Sequence, residues 1–558
     1  MDAMKIDWEA RRVELDPRAL REAVSEFRRV CGDANVADSG PELERVAKAT
    51  IPDPQRPSAI VRPGSAEEVA EIVRIANRLR IPLWPVSQGR NWGYGSSTPA
   101  LANTAVLHLG RLNRILEVNE ELAYAVIEPG VTYRQLRAHL DAHHPRLWCD
   151  STDGPPEGSV IGNALDRGLG VTHYADHFGT LCGLEVVLPS GETVRTGGGP
   201  PDCKTWNTHK WGVGPYLEGL FSQSNFGVVV KAGVWLFPKP EAFASFTFDL
   251  ARPEDLPRLV DAMRELALRG IIGSACHLIN DIVTLAVLTQ YPSGALDRYS
   301  RLPDDVLADL RKRYGVPVWS LGGGILGTRA QVREMKRQLR RRLSSLGRIV
   351  FMDDRLAGFA GWLGGLATRS PLGRRLASAA AGLAGKSVEL LQAAPHVHSV
   401  LKGIPSDYFV RHAYFKSRLP KPELADPDRD DVGLIWFAPI APMTGRHVQE
   451  VIGLCRPLFE QHRFDFYAAL LMQNARSMIV LMSLFFLKRD PEQAARAAAL
   501  YDALGAAVAE AGYQQYRTSV PGMRKLALAD PALARLLGAL KTGADPMGVV
   551  APGRYGIR

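Results

Sequence analysis

VSQGRNWGYGSSTP, residues 86–99, follows a strand-like PLWPV and sets Gly89, Gly93 and Gly95 among Ser87, Ser96, Ser97 and Thr98. Glycine admits positive φ and lets the backbone approach a ligand closely, so such a loop can aim several N–H groups at one anion. A diphosphate is the usual anion for a loop of this kind. A plain Gly/Ser turn has the same composition, and the loop alone leaves both readings open.

Outward from the loop, the pattern alternates. Ala59 to Pro63 reads as a short strand. Ser65 to Asn77 reads as a helix, with Ser65 as cap, Glu68 completing a capping box, and Val69, Ile72, Val73 and Ile75-Ala76 as its apolar face. Downstream come a strand AVLHL at 105–109, a strand AYAVIEPGVT at 123–132, and a helix over Tyr133 to Leu140. GSVIGNALDRG at 158–168 is again rich in small residues, and CGLEVVLPSGETVR at 182–195 reads as a β-hairpin.

RPGS, the QGRNWGYGSSTP loop, VIEPGVTYRQL, EGSVIGNALDRGLG, GLEVVLPSGETVRTGGG, WGVGPYLEGLFSQSNFGVVVKAGVWLFPKP and the C-terminal DPMGVVAPGRYGI occur in this order. In these segments the chain resembles the vanillyl-alcohol oxidase / p-cresol methylhydroxylase flavoproteins. The likeness is dense over 59–240, returns over 513–557, and is loose between. It implies an α+β fold: an FAD-binding domain of two subdomains, plus a cap domain built on a ferredoxin-like antiparallel sheet.

Composition agrees with such a chain and excludes others. At 558 residues it is too long for one core. With 46% hydrophobic and 23% charged residues it reads as an ordinary globular protein. The net charge of +9 is spread out, and the densest run, KRQLRRR at 336–342, suits one solvated helix face, so nucleic acid is not the expected partner. Six cysteines without CxxC spacing suggest reduced thiols rather than disulfides, and no His/Cys grouping has metal-ligand spacing. The charged N-terminus lacks an apolar signal core, which suggests a cytoplasmic protein. No integral membrane span is expected; LAGFAGWLGGLA at 356–367 is too short for one and is followed by Arg369, Arg374 and Arg375. With Leu376 to Leu391 it reads as two amphipathic helices, fit for burial, for an oligomer contact, or for a membrane-surface or electron-partner contact.

Four parts are expected: a helical N-terminal arm (1–57), the FAD-binding domain (58–241), a cap or substrate domain (242–510) with inserted amphipathic helices over 355–400, and a C-terminal segment (511–558) returning to the FAD domain. The cap reads as two similar halves. FASFTFDL at 243–250 leads into a helix over Pro253 to Leu268, and GLIWFAPI at 433–440 into one over Gly445 to His462. Each is followed by a further strand, DIVTLAVL at 281–288 and SMIVLMSLFF at 477–486.

The resemblance implies an FAD-dependent oxidoreductase acting on a para-substituted phenol. Hydride leaves the benzylic carbon for flavin N5, and a p-quinone methide forms and is then attacked by water or another nucleophile. Tyr94, Tyr516 and Arg517 match the phenolate-binding residues of the family; two O–H donors and a permanent cation at one oxygen favour its ionised form. Asp153 best matches a carboxylate beside flavin N5, with Asp150 and Glu157 as alternatives and a turn-forming role equally open. FAD is implied at Ser87, Gln88, Gly89, Arg90, Asn91, Gly93, Gly95, Ser96, Ser159, Gly162, Asn163, Ser224, Asn225, Gly227, Val229 and Arg554. Where some relatives carry a histidine tethering the flavin, this chain has Leu434, which has no nucleophile, so dissociable FAD is expected. NARSM at 474–478 replaces a histidine-containing run of several relatives and leaves the pocket's far wall open. The acceptor is molecular oxygen or a cytochrome or other acceptor, and a homodimer or higher homo-oligomer is expected. Other readings are a flavoenzyme acting on a hydroxy acid, sugar lactone or biosynthetic intermediate, and a non-catalytic flavin-binding assembly partner.

Overall fold

The computed structural model describes residues 4–200, 202–273, 276–296, 301–383, 385–526 and 530–557. Two sheets build the FAD-binding domain. In the first, Ile60–Val61, Ala105–His108 and Leu83–Val86 pair in parallel, and Val36–Ala37 adds antiparallel beside Ile60–Val61. Helix Ala66–Leu79 packs against it through Val69, Ile72, Val73 and Ala76. Ser65 caps this helix as expected, but the Glu68 carboxylate accepts from the Gly64 N–H at 2.7 Å rather than from Ser65. Helix Pro17–Cys31 joins the same core through Val24 and Phe27. The N-terminal residues therefore complete this sheet and core instead of standing apart as an arm. The second sheet is antiparallel and five-stranded, and contains the predicted hairpin Leu181–Val187/Thr193–Arg195.

The cap carries one eight-stranded antiparallel sheet. In chain order its strands are β1 (Ala242–Leu250), β2 (Cys276–Asn280), β3 (Trp319–Gly327), β4 (Gly347–Met352), β5 (Gly433–Pro442), β6 (Tyr467–Met472), β7 (Ser477–Phe486) and β8 (Gln514–Arg517). The spatial order is β4-β1-β3-β2-β6-β7-β5-β8. Each half is a β-α-β-β-α-β unit of ferredoxin-like order, and the halves join where β2 pairs with β6. Helices Leu256–Leu268, Arg329–Leu343, Gly445–Gln461 and Pro491–Glu510 cover one face around Phe246, Phe248, Phe459 and Leu504. The other face is left for the site.

Three expectations change. DIVTLAVL at 281–288 is an α-helix, and the strand is the preceding CHLIN. A continuous apolar run has no period that separates buried strand from buried helix, and Asn280 decides by capping, its side chain accepting from the Val283 N–H at 3.2 Å. The insertion forms three helices, Asp354–Arg369, Pro371–Leu383 and Val388–Val400, rather than two. The segment after 510 first adds β8 to the edge of the cap sheet. Only beyond it does the chain return to the first domain, where Leu83 exchanges hydrogen bonds with Val549 and Ala551 at 2.7 Å each. Among the described residues no helix is long and apolar enough to cross a membrane, and no cluster of His, Cys, Asp or Glu could hold a metal ion.

Candidate active site

The FAD-binding domain and the cap enclose one cavity of about 660 Å³, entered by the 86–99 loop from one side and by the open face of the cap sheet from the other. The loop turns as its glycines allow. Gly89 has φ of +65°, and a Cβ there would meet the Ser97 hydroxyl; Gly95 has φ of +133° and packs against Val520. Among the described residues the N–H groups of Gln88, Gly89, Arg90 and Asn91 make no hydrogen bond within the chain. The loop is also stapled to the cap. Asp428 accepts from the Trp92 indole at 3.2 Å, the Ser96 hydroxyl at 3.0 Å and the Thr50 N–H at 3.0 Å, and Arg90 pairs with Asp426 at 2.7 Å. Burial pushes the Asp428 carboxyl up to about 6.

At one end of the cavity Tyr94, Tyr516 and Arg517 come together. Tyr516 and Arg517 are neighbours on β8, and neighbours on a regular strand face opposite ways. Here Arg517 pairs with Ala438 and Gln515 with Pro439, which leaves Tyr516 as the extra residue of a bulge, and both side chains reach the cavity. The Arg517 guanidinium lies 4.3 Å from the Tyr94 ring centre. It donates to the Asn91 amide oxygen and stands 3.5 Å from the Asp166 carboxylate. Burial opposes the Arg517 charge, but Asp166 first, with Tyr516 and Tyr94, more than offsets it and raises its pKa. The Tyr94 hydroxyl is buried with no hydrogen bond of good geometry; burial, then Tyr516, pushes its pKa well up against the pull of Arg517. The Arg517 Nε is likewise without a partner. Asp166, which sequence reasoning passed over, holds the cluster: Arg554 and Tyr555 both donate to it at 3.3 Å.

Across the cavity, Asp153 lines the wall with an exposed carboxylate, 3.9 Å from the Nδ1 of His277 on β2. His412 and Tyr467 line the same region. Each histidine has a buried Nε2 without a partner. Burial keeps both below the usual imidazole range, against the opposing pull of Asp153. The two alternatives for Asp153 are placed elsewhere. Asp150 is buried in a cage, accepting from the Ser151 N–H at 2.8 Å, the Thr172 N–H and hydroxyl, and the Tyr174 and Ala175 N–H groups at 3.0 Å. Burial works against that charge, but the His177 imidazole 3.7 Å away and hydrogen bonds from Thr172 and the Ala175 N–H hold its carboxyl low. Glu157 pairs with Arg134 at the surface.

Of the residues expected at the cofactor, Ser87, Gln88, Gly89, Arg90, Asn91, Gly95, Ser96, Ser159, Gly162, Asn163, Ser224, Gly227, Val229 and Arg554 line the cavity. Gly93 and Asn225 do not. Gly93 packs under Trp436, and its N–H donates to the Thr50 hydroxyl at 2.9 Å. Asn225 is fully buried, and its amide ties down Ala551 and Ile557 of the returning C-terminus. Leu434 lines the cavity from β5, beside Trp436. Trp436, His277, His412 and Tyr467 escaped sequence reasoning because they lie where the family likeness is loose; only the fold brings them together.

Open N–H groups in a glycine loop, an adjoining narrow wall of serine and glycine, and the Arg554 guanidinium suit a diphosphate and its flanking rings. The site and fold are those of an FAD-dependent oxidoreductase. The profile of the FAD binding domain family matches residues 57–197. Over 551 residues the chain is 36% identical to 1'-carboxy-chondrochloren decarboxylase of Chondromyces crocatus, covering 98% of each. It is 29% identical to the 4-cresol dehydrogenase flavoprotein subunit of Pseudomonas putida, covering 96% of each. The structure superimposes on substrate-bound p-cresol methylhydroxylase with a TM-score of 0.85 at 28% identity, covering 97% of this chain and 98% of that one. The chain belongs to the p-cresol methylhydroxylase / vanillyl-alcohol oxidase family.

Proposed function

We propose that the chain oxidises a para-substituted phenol at its benzylic carbon, using dissociable FAD. The observation that carries this is the convergence of Tyr94, Tyr516 and Arg517 on one end of the cavity, where the Tyr94 hydroxyl and the Arg517 Nε have no hydrogen-bond partner in the protein. Bound FAD supplies the two-electron acceptor. The chain's own groups do the rest. Arg517 and the two tyrosine hydroxyls bind the phenol oxygen as phenolate, and its charge pushes electron density toward the para carbon. Asp153 offsets positive charge at the benzylic carbon as hydride departs. The neutral imidazoles of His277 and His412 orient the water that adds to the quinone methide. Soaking the holoprotein with 4-ethylphenol should perturb the flavin absorption band and then bleach it anaerobically; a hydroxy acid that reduces the flavin while phenols leave the band untouched would overturn the reading.

The decarboxylase relative favours a second outcome at the same site. A quinone methide bearing a carboxylate on the adjacent carbon can lose CO2, the C–C electron pair restoring the aromatic ring and leaving a 4-alkenylphenol. Product analysis separates the two: an alcohol from water addition, which a second two-electron oxidation would carry to the ketone, or an alkene with one CO2 per two electrons.

Leu434 supports dissociable FAD, because its side chain can form no bond to the flavin ring. Acid precipitation should release all the FAD into the supernatant. Flavin fluorescence retained in the denatured band on a gel would contradict this and point to another attachment residue.

A further inference from the structure

The cavity continues past the catalytic pocket, and the register of the cap sheet shows where it goes. His277 of β2 pairs with Leu471 on one side and Gly322 on the other; Gly322 pairs with Thr247, and Thr247 with Val350. Two residues along, Ala469, Ile279, Ser320, Asp249 and Arg348 form a second row across the same strands. All ten line the cavity. Residues of one face recur every second position, so these rows are a floor running from the pocket across β2, β3 and β1 to the edge strand β4. Three strand spacings separate His277 from Val350, about 14 Å. The residues in the middle of this floor are small: Gly322, Ser320 and Thr247. A Cβ on Gly322 would meet nothing closer than a backbone oxygen at 3.8 Å.

The roof is the insertion. Helix Val388–Val400 turns Leu390, Leu391, Ala394 and Val397 toward the cavity, a stripe at helical spacing. Helix Asp281–Leu288 supplies Val283 and Val287 at the side. The far end opens beside Arg311, Lys312, Arg348 and Lys386, with Lys386 paired to Asp249 at 2.5 Å. The passage thus has a phenol-binding head, an apolar roof, a floor with hydroxyls, and a charged, solvated exit.

We infer that the substrate is an elongated phenol whose para substituent continues into a linear acyl or alkyl chain of about 14 Å, lying between the cap sheet and the inserted helices with its polar end at the Lys386 mouth. This rests on the phenolate reading for the head and adds a tail site to it. An aryl alcohol of a few carbons leaves the passage unused. A long chain buries its methylenes against Leu390, Leu391 and Val397, while Ser320 and Thr247 can hydrogen-bond a carbonyl or amide on the way.

The test is a series of 4-alkylphenols of increasing chain length, titrated into the FAD-loaded protein by the flavin band, with Gly322→Phe as the plug. In the wild type, affinity should rise about threefold to fourfold per methylene until the passage is filled, then level off. Gly322→Phe should keep 4-ethylphenol binding within threefold and erase the gain from the longer chains. Affinity independent of chain length, or equal loss for short and long phenols in a normally folded Gly322→Phe, would overturn the tail site. If no phenol perturbs the flavin, the head reading fails separately. The tail site is then read with dansylated undecanoic acid: fluorescence enhancement that is saturable in the wild type and lost in Gly322→Phe supports it, and absence of enhancement in the wild type overturns it.

Discussion

Arg517→Lys should cut phenol affinity and the rate of anaerobic flavin reduction each by about 10²-fold, although the charge is kept. The guanidinium meets several demands at once: it lies 4.3 Å from the Tyr94 ring centre, donates to Asn91 and faces Asp166, while its Nε has no partner in the protein. An ammonium carries its three donors on a single atom and has no planar fork, so it cannot reproduce the spread of guanidinium donors over Asn91, Asp166 and the phenolate. The protein should remain folded, because Asp166 keeps Arg554 and Tyr555. Tyr94→Phe and Tyr516→Phe should each weaken phenol binding by about 1–2 kcal/mol, one hydrogen bond to a charged oxygen. Tyr94→Phe carries its own control. The hydroxyl it removes is buried and unsatisfied without ligand, so thermal stability should hold or rise while affinity falls. Unchanged binding and reduction in all three variants would remove the phenolate site.

How much of this site could be read from the sequence depends on how local its causes are. The 86–99 loop was legible because positive φ at Gly89 and Gly95 is a property of single residues. The doubled cap was legible because each half repeats a strand followed by an amphipathic helix, as at Phe243 to Leu268 and Gly433 to Gln461. Helix Asp281–Leu288 was not, since an unbroken apolar run carries no period. Nor was the bulge that turns Tyr516 and Arg517 to one side: it is a mismatch between two strands about 80 residues apart in the chain, visible only in their pairing. Asp166 sits in plain view within GNALDRG, yet its task is set by Arg517, Arg554 and Tyr555, which come from the other end of the chain. The insertion read as amphipathic helices, but its inward stripe becomes a roof only when the Ser320 and Thr247 floor lies beneath it.

Asp153→Asn and Asp150→Asn should fail in different ways, and the difference follows from where the two carboxylates lie. Asp153 reaches the cavity with its carboxylate exposed and His277 beside it. Removing its charge while keeping its shape should slow flavin reduction by about 10²-fold or more, the scale of a group that stabilises developing charge. Phenol affinity should barely change, because the oxygen is held at Arg517, and thermal stability should not move. Asp150 is caged by donors from Ser151, Thr172, Tyr174 and Ala175 and does not line the cavity. An amide in its place turns an NH2 toward some of those N–H groups, so Asp150→Asn should lose stability, by about 3 kcal/mol. Because the carboxyl is held low in the folded protein, its contribution is present above pH about 4, the unfolded value, and fades as pH falls through the lower folded pKa. Wild type should therefore lose stability on acidification more steeply than Asp150→Asn. Per folded molecule, Asp150→Asn should still reduce its flavin at near the wild-type rate when assayed well below its melting temperature. If Asp150→Asn instead cripples reduction with its melting temperature intact while Asp153→Asn is silent, the charge that serves the benzylic carbon comes from the cage, and the cavity-facing carboxylate is only a turn residue ahead of Gly154.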